Sequence, residues 1–133
     1  EKNNYQELTN YDELTNFVYQ LDEQSDYLNV EVIGKSVHGR NIYGMFFSDS
    51  EFGKDTSKIK VLIFAQQHGD EQSGKEGALI FSRELLRPER KYLLEKIDLA
   101  LIPQMNPDGS EIDTRFNSNQ MDLNRNHLIL TEL

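Results

Sequence analysis

The chain has 133 residues, with 23 acidic side chains against 14 basic ones and a net charge of -9. That balance repels a phosphate backbone and excludes nucleic acid as a partner, while the length suits one domain whose core buries roughly two-thirds of the unfolded surface. With no cysteine, there is neither a disulfide framework nor a thiolate ligand, so any metal must be held by His, Asp or Glu.

At 37% hydrophobic and 28% charged residues the chain is polar for a globular protein, but 10% aromatic content argues against disorder. No apolar run approaches the roughly 18 residues that span a bilayer. The start, Glu1-Lys2-Asn3-Asn4, is neither an initiator methionine nor a signal peptide and reads as a processed or trimmed end. The absence of cysteine is compatible with export, and a secreted or cell-envelope location is favoured over the cytoplasm.

The first helix is predicted over residues 10 to 24, where Leu14, Phe17, Val18 and Leu21 recur at helical spacing and Asn10 with Glu13 can form a capping box. Tyr27 to Ile33 alternates as a strand, Gly34 to Arg40 breaks it, and Asn41 to Ser48 resumes it, which predicts an edge hairpin. After a polar loop from Glu51 to Lys58, the run Ile59-Lys60-Val61-Leu62-Ile63-Phe64-Ala65 has the character of a central strand buried on both faces. Ser73 to Leu86 predicts a helix stopped near Pro88, Tyr92 to Lys96 a further turn, and Ile97 to Ile102 a second buried strand. Strand, helix and strand in that order predict an α/β fold: a mixed sheet with parallel central strands flanked by helices.

Two polar clusters directly follow the apolar strands, and in parallel sheets ligands sit beyond the carboxyl ends of strands. In Gln66-Gln67-His68-Gly69-Asp70-Glu71, a sharp turn through Gly69 lets the His68 imidazole and the Glu71 carboxylate meet at one ion. Catalytic zinc usually takes three protein ligands and a water, and only two are evident here. Taken alone, the pair also fits a solvated loop. The second cluster runs from Asn106-Pro107-Asp108-Gly109, a turn signal, to Asp122-Leu123-Asn124-Arg125-Asn126 through a segment with no helix or strand period. In it Arg125 can fork onto a carboxylate with Asn124 donating beside it, and Arg115 can supply charge to an oxyanion. His38 and His127 read as turn and loop residues. Asp70 and Glu76 are expected to orient the loop and cap the following helix, with Asp70 a candidate partner of a ligand.

His68-x-x-Glu71, then Asn-Pro-Asp-Gly, Arg115 and Asp-Leu-Asn-Arg-Asn, with the early Gly34-Lys35-Ser36 and Gly39-Arg40 hairpin, resembles the zinc carboxypeptidase family in the right order over residues 11 to 126. The resemblance implies that residues 1 to 133 are the N-terminal portion of a single catalytic domain. It implies zinc as cofactor, His68 and Glu71 as the first two ligands, and Arg115 as the group that polarises the scissile carbonyl. Asn124 and Arg125 would bind the terminal carboxylate of a peptide substrate. The third ligand and the catalytic glutamate are expected beyond Leu133, so the chain alone is expected to be inactive. Its central strands would then present an apolar edge through which it self-associates. Two other readings remain: an aspartoacylase or desuccinylase-like amidohydrolase, disfavoured by the Asn-Pro-Asp-Gly turn and the Phe116 to Met121 insert, and a non-catalytic peptide-binding half-domain.

Overall fold

A computed structural model of the chain describes residues 7–127. Helix α1 (Tyr11–Glu23) starts where the capping box was expected: Asn10 Oδ1 accepts from the Glu13 amide at 2.9 Å while Glu13 Oε2 accepts from the Asn10 amide at 3.0 Å. Its buried stripe is Leu14, Val18 and Leu21, one face of a helical period.

Strands β1 (Leu28–Lys35) and β2 (Asn41–Phe47) pair antiparallel from Leu28↔Phe47 to Lys35↔Asn41, with an irregularity between Val32 and Gly34. Gly39, at φ 81°, supplies the left-handed residue of the connecting turn, and the Ser36 amide closes that turn on Arg40 O at 2.8 Å. Strand β3 (Ile59–Phe64) is followed by α2 (Gln72–Leu85), a 3-10 turn (Pro88–Leu93) and β4 (Ile97–Ile102). Pro88 thus opens the next turn as well as following α2, since its fixed φ suits a first helical position.

The sheet order is β1-β2-β4-β3, with β2 antiparallel and β3 parallel to β4. The α/β class and the mixed sheet agree with the sequence reading. Tyr43, Met45 and Phe47 alternate onto the same face as Leu99 and Leu101, and there they join Leu14, Val18 and Leu21 of α1 and Ala78, Leu79 and Leu85 of α2 in one core. Among the described residues no helix is long and apolar enough to cross a membrane.

At β3 the expected apolar edge is present, while the expected cover on both faces is not. β3 is not buried on both faces: Ile59 is 67% and Leu62 62% exposed, with Ile63 and Phe64 also exposed. The run was read as buried because uninterrupted apolar residues need cover on both sides. Among the described residues β3 has a strand neighbour on one side alone and lies at the sheet edge.

At the amino ends of β3 and β4, fully buried Asp98 accepts from Ser48 Oγ at 2.7 Å, the Gly53 amide at 2.8 Å and Lys60 Nζ at 2.6 Å, with Lys58 Nζ at 3.5 Å. These contacts fasten the loop between β2 and β3 across the sheet. Burial alone would raise the Asp98 carboxyl, but the bonds from Lys60, Ser48 and Gly53 outweigh it and hold the group well below the usual carboxylate range. A carboxyl lowered on folding contributes stability that is complete above its unfolded pKa of about 4 and is lost as pH falls through the folded value. Asp98→Asn should therefore cost about 3 kcal/mol in a urea melt at pH 7, and the gap from wild type should narrow below about pH 4. A gap that holds constant down to pH 2 would contradict this account.

Candidate metal and carboxylate site

Both chemistry-bearing loops leave the sheet at the same end because β3 and β4 run parallel. Ladder-like bonds continue past the strands, from the Met105 amide to Ala65 O at 3.0 Å and from the Asn106 amide to Gln66 O at 3.1 Å. Gln66, buried and left-handed at φ 50°, donates to Gly69 O and Ser110 Oγ at 2.9 Å each and accepts from Gln104 Nε2 at 3.0 Å. That buried amide folds the His68 loop back onto the second loop. The sequence reading had no role for it, since a glutamine at a strand end carries no periodic signal.

Gly69 is needed for a different reason than a left-handed turn, because the described residues with positive φ do not include it. A Cβ there would lie 2.1 Å from the Gly109 carbonyl carbon and 2.4 Å from the Ser110 amide nitrogen. The two loops pack backbone to backbone, and only glycine permits that approach.

Asn106-Pro107-Asp108-Gly109 is not a bare turn but opens a short helix, α3 (Pro107–Glu111), in which Asn106 Oδ1 caps the Gly109 amide at 3.0 Å. An asparagine cap followed by proline at the first helical position was the available signal. The long loop beyond it is tied down by buried Asn117, whose Oδ1 accepts from the Asn119 and Met121 amides at 3.0 and 2.9 Å.

The structure brings His68, Glu71, Arg115 and Asp122 together. Glu71 immediately precedes α2 but makes no side-chain cap; its Oε1 lies 2.9 Å from His68 Nδ1. On the other side of the buried ring, Nε2 lies 3.0 Å from Asp122 Oδ1. A neutral imidazole has one N–H and cannot donate to both carboxylates. When Nε2 donates to Asp122, the Nδ1 lone pair faces a carboxylate oxygen, an arrangement that requires a cation between them, whether a proton or a metal. One ring nitrogen beside one carboxylate is a donor set suited to zinc, and a carboxylate behind the other nitrogen is the usual support of a metal-binding histidine.

Arg115 reaches Asp122 Oδ2 through Nε at 3.2 Å and Nη2 at 3.1 Å, and its Nη1 lies 3.7 Å from Glu71 Oε1. Burial would raise the Asp122 carboxyl, but the bonds from His68 and Arg115 prevail and hold it below its ordinary value. The same carboxylate caps a 3-10 turn (Leu123–Arg125) by accepting from the Asn124 amide at 3.0 Å. Asp122 belongs to the motif, but its role is visible only in the fold, which sets it facing His68.

Asn124 and Arg125 lie on that turn with exposed side chains, Arg125 Nη1 donating to Asn124 O at 3.2 Å. Asp70 is exposed, and Glu76 does not cap α2 but accepts from Thr9 N and Thr9 Oγ1 at 2.8 Å each. His38 is an exposed turn residue, and His127, also exposed, sits 2.9 Å from Gln67 Nε2. Among the described residues no three His, Asp or Glu side chains form a group that could hold a metal by themselves.

Residues 14–131 match the family model described as zinc carboxypeptidase. The chain belongs to this family. The carboxypeptidase N catalytic chain of Homo sapiens is 32% identical over 112 residues, which cover 71% of this chain and 24% of the human protein. Carboxypeptidase 2 of Trichophyton rubrum is 29% identical over 86% of this chain and 22% of its own length. Among solved structures, a metallo-carboxypeptidase from Burkholderia cenocepacia superposes with a TM-score of 0.77 at 25% identity, covering 86% of this chain and 32% of that one. A metallo-carboxypeptidase from Pseudomonas aeruginosa, in complex with (2-guanidinoethylmercapto)succinic acid, superposes with a TM-score of 0.70 at 32% identity, covering 88% of this chain and 31% of that one. The chain spans about a quarter to a third of the length of such relatives.

The backbone contact at Gly69 gives a direct test. Gly69→Ala should lower the unfolding free energy by about 2 kcal/mol or more, as overpacking against immovable backbone does. Denaturant melts would show it, and a melt within about 0.5 kcal/mol of wild type would mean that the two loops are not held as described.

Proposed function

We propose that this chain is the N-terminal portion of the catalytic domain of a zinc metallocarboxypeptidase, an enzyme that removes C-terminal residues from peptides. The observation that carries the reading is the His68 ring between Glu71 and Asp122, with a nitrogen facing each carboxylate. His68 Nδ1 and Glu71 are assigned as zinc ligands, with the remaining ligand and the general base supplied by residues outside those described. Zinc bound there would lower the pKa of a coordinated water to about 7 and polarise the scissile carbonyl.

The chain's own residues do the rest. Asp122 fixes the His68 tautomer by accepting from Nε2, so that Nδ1 presents its lone pair. Arg115, anchored on the same carboxylate, holds positive charge beside the place where the attacked carbonyl develops an oxyanion. Asn124 and Arg125, exposed on the turn that Asp122 caps, receive the substrate's terminal carboxylate. The carboxyl-bearing ligand held by the Pseudomonas aeruginosa relative supports a substrate of that chemistry. The exposed apolar edge at β3 supports self-association of the 133-residue chain, since an uncovered strand edge templates pairing.

Calorimetric titration should show weak zinc binding that disappears in His68→Ala; tight binding that survives the substitution would remove the metal assignment. With zinc and peptides bearing free C-termini, the 133-residue chain should show no turnover and should run larger than a monomer. A longer form containing the rest of the domain should turn over. In that form Arg125→Ala should erase the preference for a free over an amidated C-terminus, while Arg115→Ala should mainly lower kcat. Turnover by the short chain as a monomer, abolished by Glu71→Ala, would show that the site is already complete.

A further inference from the structure

Asp108 is 3% exposed and makes no hydrogen bond to His68, yet its carboxylate takes four hydrogen bonds. Three come from the turn between β1 and β2: Ser36 Oγ at 2.8 Å, the His38 amide at 3.0 Å and Arg40 Nη1 at 2.7 Å. The fourth is from Ser118 Oγ at 3.3 Å, on the loop that runs to Asp122. Burial would raise this carboxyl, but the donors from His38, Arg40 and Ser36 hold it below its ordinary value. Capping does not account for it, because Asn106 already caps α3.

The neighbouring residue connects this clamp to the site. Gly109 presses on Gly69, which directly follows His68, and Gly109 O accepts from the Thr114 amide at 2.9 Å. Asn106 Nδ2 and the Gly69 amide both donate to Arg115 O, each at 3.4 Å. Helix α3 therefore has the hairpin tip on one side and the His68 and Arg115 backbones on the other.

We propose that Asp108 is a positioning residue: by clamping the Ser36–Arg40 turn and Ser118 together, it sets the seat of α3 against Gly69 and so fixes the relative placement of His68, Asp122 and Arg115. The proposal rests on the metal-site reading for its consequence but not for its geometry. An asparagine at 108 replaces an acceptor oxygen by an NH2 group that must face donors, so the isosteric change is enough to loosen the clamp.

The test is done on the 133-residue chain and on any longer form that contains it. Asp108→Asn, Ser36→Ala and Ser118→Ala are compared with wild type by circular dichroism, by the 15N shifts of the His68 ring and the Arg115 Nε–H without metal, and by zinc titration. In folded Asp108→Asn the His68 and Arg115 signals should move and zinc affinity should fall about threefold to tenfold, less than the roughly 10–100-fold typical when a ligand's direct partner is lost. Ser118→Ala should reproduce the Arg115 shift while the hairpin signals stay in place. Unchanged His68 and Arg115 signals in folded variants, with only the melting temperature lowered, would overturn the proposal. If Asp108→Asn does not fold, the two serine variants decide by the same signals. If wild type binds no zinc at His68, the metal-site reading fails, and the metal-free shifts still judge the role of Asp108.

Discussion

Because β3 and β4 pair in parallel, from Ile59↔Ile97 to Phe64↔Ile102, the loops that follow them emerge side by side at one end of the sheet. An antiparallel pair would have sent them to opposite ends. Everything chemical in the chain depends on that adjacency. It sets Gly69 against Gly109 with no room for a Cβ, and it lets the buried Gln66 amide bond both loops at once. The α2 crossover makes the parallel pairing sterically natural, and the core formed by α1, α2, β2 and β4 keeps it in place.

On this scaffold Asp122 carries several tasks with one carboxylate. It accepts from His68, anchors Arg115 through two donors and caps the turn that bears Asn124 and Arg125. The charge balance around His68 then follows. Carboxylates flank the ring on both nitrogens, and Arg115 bonds directly to Asp122 while standing farther off, at 3.7 Å, from Glu71. One carboxylate thus ties His68, Arg115 and the turn bearing Asn124 and Arg125 into a single hydrogen-bonded unit.

Much of the architecture was legible because it rests on local periodicity. The α1 stripe and capping box, the strands of the hairpin around Gly39 and the separate strands and helix of the crossover each announce themselves within about fifteen residues. His68, Glu71, Arg115, Asn124 and Arg125 stood out because polar residues directly after apolar strands lack a packing explanation, and of these His68, Glu71 and Arg115 meet in the structure. What was not legible depends on contacts between distant segments. Asp122 and Gln66 are ordinary polar residues until the fold shows what they face, and Asp108 looked like part of a turn although three of its four partners lie about 70 residues away. The exposure of β3 accords with the apolar edge expected of the central strands: composition reports how much cover a strand needs, and the described residues provide it on one side alone.

The central claim is that the His68 Nδ1 face, between the ring and Glu71, is the metal-binding face while Nε2 stays committed to Asp122. Crystals of the chain soaked in zinc and measured at the zinc absorption edge test it most directly. The account predicts an anomalous peak bonded to His68 Nδ1 and a Glu71 oxygen, with the bond from Nε2 to Asp122 intact. A peak on the Nε2 side that displaces Asp122, or zinc bound elsewhere with none at His68, would contradict it.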